Sequence, residues 1–231
     1  MSAGKYSKIG MAALAVLILC VVCVLITDIT KTVSATANPP ASYILIDAGH
    51  GGVDGGASAD DGTLEKDINL SIAHRVRDML QTFGYTVRMT RDADTAVEKQ
   101  DETIRSWKVR DMYYRLSMYD EAALTVSIHQ NRFSQSQYNG TQIFYSTAAP
   151  ESADIAACIR AQVMDLLQPQ NKRETKPATD SIFLLYRTQR PAVLVECGFL
   201  SNPTEAAKLQ TEEYQQQMAF AICCGIIEYF S

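Results

Sequence analysis

Hydrophobic positions along the chain fall into two regimes. From Ile9 to Thr27 the chain is almost continuously apolar and uncharged, with Lys5 and Lys8 before it and Asp28 and Lys31 after it. These 19 residues suffice for one bilayer-crossing helix. The two lysines favour a cytoplasmic N-terminus, which places the remainder outside. A helix from a soluble core would instead show a polar face. Residues 1–37 are therefore expected to be a signal or signal-anchor segment with the start of a linker, and 38–231 a single globular domain. Ala35-Thr36-Ala37 resembles a signal-peptidase site, but it lies about ten residues beyond a run longer than most signal cores, so an uncleaved anchor is the preferred reading. Leu19 and Val22, which precede Cys20 and Cys23, are not the small residues that lipid attachment requires.

Beyond a Pro- and Ser-containing linker at 32–42, short apolar runs alternate with segments of helical spacing. Strands are expected at Tyr43–Asp47, Tyr85–Thr90, Leu124–His129, Gln142–Tyr145, Ile182–Tyr186 and Ala192–Cys197. Helices are expected over Leu64–Gln81, around Val109, Met112, Leu116 and Tyr119, and from a Ser152 cap through Ile155, Ile159, Val163 and Leu166. Asn202-Pro203-Thr204-Glu205 supplies a cap residue, a proline at the first position and a glutamate at the third, so a helix starts there. A last helix runs from Glu212 to Tyr229, with Met218, Ile222, Gly225 and Ile226 on one face. The alternation predicts an α/β fold: a mostly parallel twisted sheet of about six strands with helices on both faces.

Charge excludes one class of partner. Three of the 21 basic and one of the 26 acidic side chains fall within residues 1–37, which leaves a net charge near −7 for the rest. An acidic domain lacks the basic face that nucleic acid requires. Cys158, Cys197, Cys223 and Cys224 stand in apolar contexts without zinc-finger spacing and read as small buried hydrophobes.

In parallel sheets, sites form at the carboxyl ends of strands. Three strand ends carry the residues of interest: Asp47-Ala48-Gly49-His50-Gly51-Gly52, Ser127-Ile128-His129-Gln130-Asn131 and Val195-Glu196-Cys197-Gly198-Phe199. Either histidine alone reads as structural; two at the ends of one sheet make a plausible metal pair. Glu65 precedes Ile68 and Ile72 by three and seven residues, so it shares their sheet-facing side. It is a candidate third ligand, although a helix-terminus charge is the plainer account. Two His and one Glu leave an open position on zinc, as catalytic sites do. Such an ion acidifies water and polarises a carbonyl. Glu196 follows the apolar run Ala-Val-Leu-Val, where an unpaired carboxylate is costly, and it is a candidate proton shuttle. His74, beside Arg75, is expected to face solvent without a role; Trp107 and the tyrosines around Tyr113 are expected to pack.

The set Ile-Asp-Ala-Gly-His-Gly-Gly-Val-Asp-Gly-Gly-Ala, Leu-Glu-Lys-Asp, Ser-Ile-His-Gln-Asn and Val-Glu-Cys-Gly-Phe-Leu-Ser-Asn resembles the zinc-dependent N-acetylmuramoyl-L-alanine amidases of bacterial cell walls. Within that family the tail Phe-Leu-Ser-Asn-Pro-Thr-Glu-Ala-Ala-Lys-Leu is most similar to the germination-specific, spore-cortex branch of endospore formers. The resemblance implies one Zn2+ held by His50, Glu65 and His129, Glu196 as the catalytic carboxylate, and 38–231 as the catalytic domain. It implies a peptidoglycan substrate cut between the lactyl group of N-acetylmuramic acid and L-alanine, and a deacetylase acting next to complete muramic δ-lactam. The site would lie outside the cytoplasm, on a membrane reached through the N-terminal segment or in a secreted form. No wall-binding repeats flank the domain, so targeting falls to that segment or to an accessory protein. Ala48 stands where the family usually has proline, and Arg132 where a small residue is usual; Asn131 and Arg132 are the candidate substrate contacts. The stretch between His129 and Gln142 leaves no room for a long inhibitory insertion, so an open groove is expected. Two other readings stay in play: a zinc peptidase acting on the stem peptide, and a catalytically idle wall-binding or scaffold protein.

Overall fold

A computed structural model of the chain describes residues 43–96 and 104–231. The apolar segment 9–27 lies outside them; among the described residues no helix is long and apolar enough to cross a membrane. The described elements follow the order β1 (Ile44–Ala48), α1 (Glu65–Thr82), β2 (Val87–Met89), α2 (Ile104–Glu121), β3 (Leu124–Asn131), β4 (Gln142–Tyr145), α3 (Glu151–Leu166), β5 (Lys176–Pro177), α4 (Phe183–Arg187), β6 (Ala192–Phe199), α5 (Pro203–Leu209) and α6 (Glu212–Phe230). The strands form one sheet ordered β2-β1-β3-β6-β4-β5. Neighbours run parallel except β4, which is antiparallel to β6.

Side chains alternate across the sheet, and the two faces differ in kind. Ile44, Ile46, Val126, Ile128, Val193 and Val195 join the main core with α1, α3 and α6, where Ile72, Ile159 and Ile222 are fully buried. Gly225 lets α3 and α6 meet backbone to backbone: a Cβ there would stand 2.4 Å from Ile159 Cα. The opposite face carries Leu45, Asp47, Thr125, Ser127, His129, Leu194 and Glu196. α2 covers it with Trp107, Asp111, Arg115 and Tyr119, all buried and four residues apart. The expected apolar stripe on α2 is thus displaced: Val109 is 43% exposed. A polar sheet face selects a polar helix stripe, because buried polar groups need partners.

Two local expectations are corrected. Ile182–Tyr186 is not a strand; residues 183–187 form the short helix α4. An apolar run of this length is compatible with either state. Here Leu185 packs with Ala192 and Leu194, while Phe183 meets Tyr113 of α2 edge-on at 5.4 Å. The sixth strand is instead Lys176–Pro177, which carries no apolar pattern. Ser152 does not cap α3; Pro150 holds the cap position, and Ser152 Oγ accepts from Ala192 N inside the fold. The Asn202 cap is as expected, its side chain accepting from Thr204 N and Glu205 N. Glu205 does not complete a capping box: its carboxylate accepts from Gly140 N and Phe199 N, tying the α5 start to β6.

Candidate metal centre and cleft

Each candidate side chain is placed by a strand end or a helix start. Glu65 opens α1 with no contribution from a side-chain cap. It faces the sheet as its spacing predicts and is only 3% exposed. Its Oε1 accepts from Gln130 N and its Oε2 from Ala57 N, at 3.0 and 2.8 Å. The carboxylate also lies between the two imidazoles: His129 Nδ1 is 3.0 Å from Oε1, and His50 Nε2 is 3.3 Å from Oε2. The ligand atoms of His50, Glu65 and His129 all lie within 4.8 Å of one another. The rings meet edge-on with centroids 5.0 Å apart.

His50 adopts φ +62°, a left-handed backbone that few non-glycine residues accept. Such strain persists only where the surroundings impose it, and here the loop carbonyls are pinned. Arg91 donates to Ala48 O and Gly49 O, Asn69 to Gly49 O, and Arg115 to Ala48 O and His50 O. Arg115 is held in turn by Asp111 and Asp47, both within salt-bridge reach. Asp47 also accepts from Thr90, Tyr119 and Ser127. Burial alone would raise the Asp47 carboxyl, but Arg115 and the hydroxyls of Tyr119 and Ser127 hold it well below the usual range. The His50 ring is oriented from behind by Asp54, whose Oδ2 lies 2.9 Å from Nδ1. Burial disfavours the charged ring, yet Asp54 and Glu65 outweigh it and raise His50 to about 9. The same contacts keep Glu65 far below its ordinary value despite burial.

Glu196 reaches the site through strand register, since β3 and β6 pair His129 with Glu196 on the same face. A register irregularity follows between His129 and Asn131, the kind of bulge that re-aims side chains beside active sites. Glu196 Oε2 is out of solvent and has no hydrogen-bond partner among the described residues. Burial, against the nearby His129 charge, raises its carboxyl to about 7.

These groups edge a cavity of about 370 Å³ lined by Trp107, Lys108, Arg115, Phe183 and Leu184 as well as His50, His129 and Glu196. The side chains of His50 and His129 keep 26% and 19% of their exposure, so the centre is open from outside. Residues 132–141 cross from β3 to β4 without a helix, and among the described residues no segment fills the cavity. Asn131 and Arg132 stand apart from it. Asn131 lies opposite Phe199 at the sheet end. Arg132 is half exposed, 3.6 Å from Asp60, and lines a separate surface depression with Phe133 and Ser201. His74 is half buried, its Nε2 3.0 Å from Asp92 O, away from the centre. Sequence reasoning missed the support: Asp47, Asp54, Asn69, Arg91 and Arg115. The one available signal was the four-residue repeat Trp107, Asp111, Arg115, Tyr119.

Two imidazoles and a carboxylate between them could hold a metal ion, and a second carboxylate, Glu196, lies alongside. The donor set suits zinc, with the back of His50 bonded to a carboxylate as metal-bound histidines require. The chain belongs to the N-acetylmuramoyl-L-alanine amidase family, whose pattern matches residues 44–228. The germination-specific N-acetylmuramoyl-L-alanine amidase of Bacillus subtilis is 37% identical over 191 residues, covering 81% of this chain and 79% of that protein. The CwlD amidase of Clostridioides difficile, solved in complex with the GerS lipoprotein, superposes with a TM-score of 0.79 at 39% identity, covering 82% of this chain and 98% of that one. The amidase AmiC2 of Nostoc punctiforme does so at 0.70 and 30% identity, covering 84% and 99%.

Proposed function

We propose that this amidase is zinc-dependent and hydrolyses the amide between the lactyl group of N-acetylmuramic acid and L-alanine of the stem peptide, in spore cortex peptidoglycan. The observation that carries the proposal is the convergence of His50, Glu65 and His129, with Glu196 set beside them by strand register. His50 through Nε2, Glu65 through its carboxylate and His129 would hold the ion. When bound, zinc supplies Lewis-acid polarisation of the scissile carbonyl and makes water more acidic.

The remaining work belongs to side chains. Glu196, raised to about 7, exchanges a proton near neutrality. It takes a proton from the attacking water and passes it to the leaving nitrogen of L-alanine. Asp54 keeps the His50 proton on Nδ1, which leaves Nε2 free to bind. Trp107 and Leu184 line the cavity beside this centre and exclude water from one side of the bound substrate. Asn131 and Arg132 do not line that cavity, so they would meet the substrate only where it extends past the end of β3. In this reading 38–231 is the catalytic domain, and 1–37 carries it outside the cytoplasm as an anchor or a leader. Likeness to a germination-specific enzyme supports the cortex role. It also supports a deacetylase that takes the peptide-free muramic residue next. An accessory protein is supported by the complex formed by CwlD.

Metal analysis tests the assignment. The purified protein is expected to hold one zinc per chain and to lose wall-cleaving activity on chelation. His129→Ala is expected to lose the zinc, whereas Glu196→Gln keeps it and is inactive. A Glu196→Gln protein that retains wild-type turnover would remove Glu196 from the chemistry.

A further inference from the structure

The loop that carries His50 is rich in glycine: Gly49, Gly51, Gly52, Gly55 and Gly56. Glycines leave a chain many conformations to lose on ordering, so a ligand on such a loop needs external anchors. Arg115 fixes the His50 backbone, as described above. The imidazole has its own anchor in Asp54, and Asp54 is itself held by a residue far along the chain. Lys108 Nζ, from α2, lies 2.7 Å from Asp54 Oδ1, while Asp54 Oδ2 lies 2.9 Å from His50 Nδ1. The two carboxylate oxygens are thus divided between the metal ligand and the helix. The other polar contact on Oδ1 is a long one, 3.4 Å from Gly56 N.

We propose that Lys108 is a positioning residue for the metal ligand His50, acting through Asp54 from across the cleft. The inference rests on the metal reading given under Proposed function. The geometry separates it from an ordinary surface ion pair. Lys108 is 47% exposed while Asp54 is 19% exposed, and a pair whose cation is so open to solvent adds little to stability. Its effect is instead to fix a carboxylate rotamer. A carboxylate with one oxygen on a cation 2.7 Å away cannot swing its other oxygen off the ring without breaking that contact. Lys108 also lines the cavity beside the ligand, so the same side chain spans the cleft wall and the support of His50.

Zinc affinity of the full-length protein, read by competition with a chromogenic chelator, tests this directly. The visible spectrum of the Co2+-substituted form supplies a second readout. Asp54→Asn is expected to weaken zinc by about 10–100-fold, the usual range for a group supporting a metal-bound histidine. Lys108→Met is expected to weaken zinc about 3–10-fold, a fraction of the loss seen when the support itself is removed. It should also alter the Co2+ bands while leaving the melting temperature of the metal-free protein unchanged. Lys108→Arg should restore most of the affinity. Adding Lys108→Met to Asp54→Asn should cost nothing more, because Lys108 acts only through Asp54. Wild-type affinity and spectrum in Lys108→Met, or fully additive losses in the double variant, overturn the inference while leaving the metal site standing. A wild-type protein that binds neither Zn2+ nor Co2+ overturns this inference and the metal reading together.

Discussion

A single methyl group added at Gly49 should dismantle the metal centre without unfolding the domain. Gly49 has an ordinary backbone, not a left-handed one, so alanine is not strained there. The obstacle is His129: an added Cβ would stand 2.3 Å from its Cε1 and 2.4 Å from its Nε2. Ordinary contact begins near 3.4 Å, so the ring must retreat by roughly 1 Å. Metal–ligand distances tolerate only about 0.2 Å. His129 therefore leaves the ligand set, and zinc affinity should fall by more than the ~100-fold that marks loss of a supporting group. The fold bears a local overpacking cost of about 1–3 kcal/mol, or roughly 2–12 °C in melting temperature for a domain of this size. Chelator competition, far-UV circular dichroism and thermal melting measure the three quantities. Zinc affinity within threefold of wild type in a folded Gly49→Ala protein would refute the close approach of Gly49 and His129.

Arg115→Met removes the cation paired with the buried Asp47 carboxylate and should cost about 3–5 kcal/mol, seen as a lower urea midpoint. Gly225→Ala drives a methyl against Ile159 backbone at 2.4 Å, so α3 and α6 must separate. It should destabilise by about 1–3 kcal/mol or more without altering zinc affinity. In chelated, metal-free protein, Glu196 titrates near 7 when folded against an ordinary value of 4.5. Its raised value means that stability is fully present below 4.5 and lost as pH rises through about 7. Glu196→Gln does not titrate, so its stability advantage over wild type should grow across that window in urea titrations at pH 5 and pH 8. A constant difference would show that burial does not raise Glu196.

The cluster of His50, Glu65, His129 and Glu196 was legible because these residues are chemically odd for where they stand. His50 and His129 end buried strands, Glu65 shares a face with Ile68 and Ile72, and Glu196 interrupts no apolar period yet ends one. The central strands β1, β3 and β6 were legible from their apolar runs, which are buried on both faces as parallel strands are. α4 was not, because five apolar residues fit a strand or a helix, and packing against Leu194 and Tyr113 decided. β5 was not, because Lys176–Pro177 pairs through backbone alone. The inward face of α2 is not marked by hydrophobicity, since Asp111 and Arg115 are buried while Val109 is exposed. Its inward residues answer Asp47 and Ser127, polar positions on the sheet that periodicity cannot announce. Asp54 and Lys108 are distant in sequence and ordinary in type, so only their proximity reveals them.

The most direct test of the central claim is the product released from peptidoglycan. Zinc-loaded protein and its Glu196→Gln variant would be incubated with muropeptide-rich wall, and the products identified by mass spectrometry. The account predicts free stem peptides with L-alanine at their N-terminus, and glycan freed of peptide, in the wild-type reaction only. Glycan that keeps L-alanine while the stem is cut further along would make the protein a peptidase. Intact wall in the presence of bound zinc would contradict the catalytic claim and favour a wall-binding role.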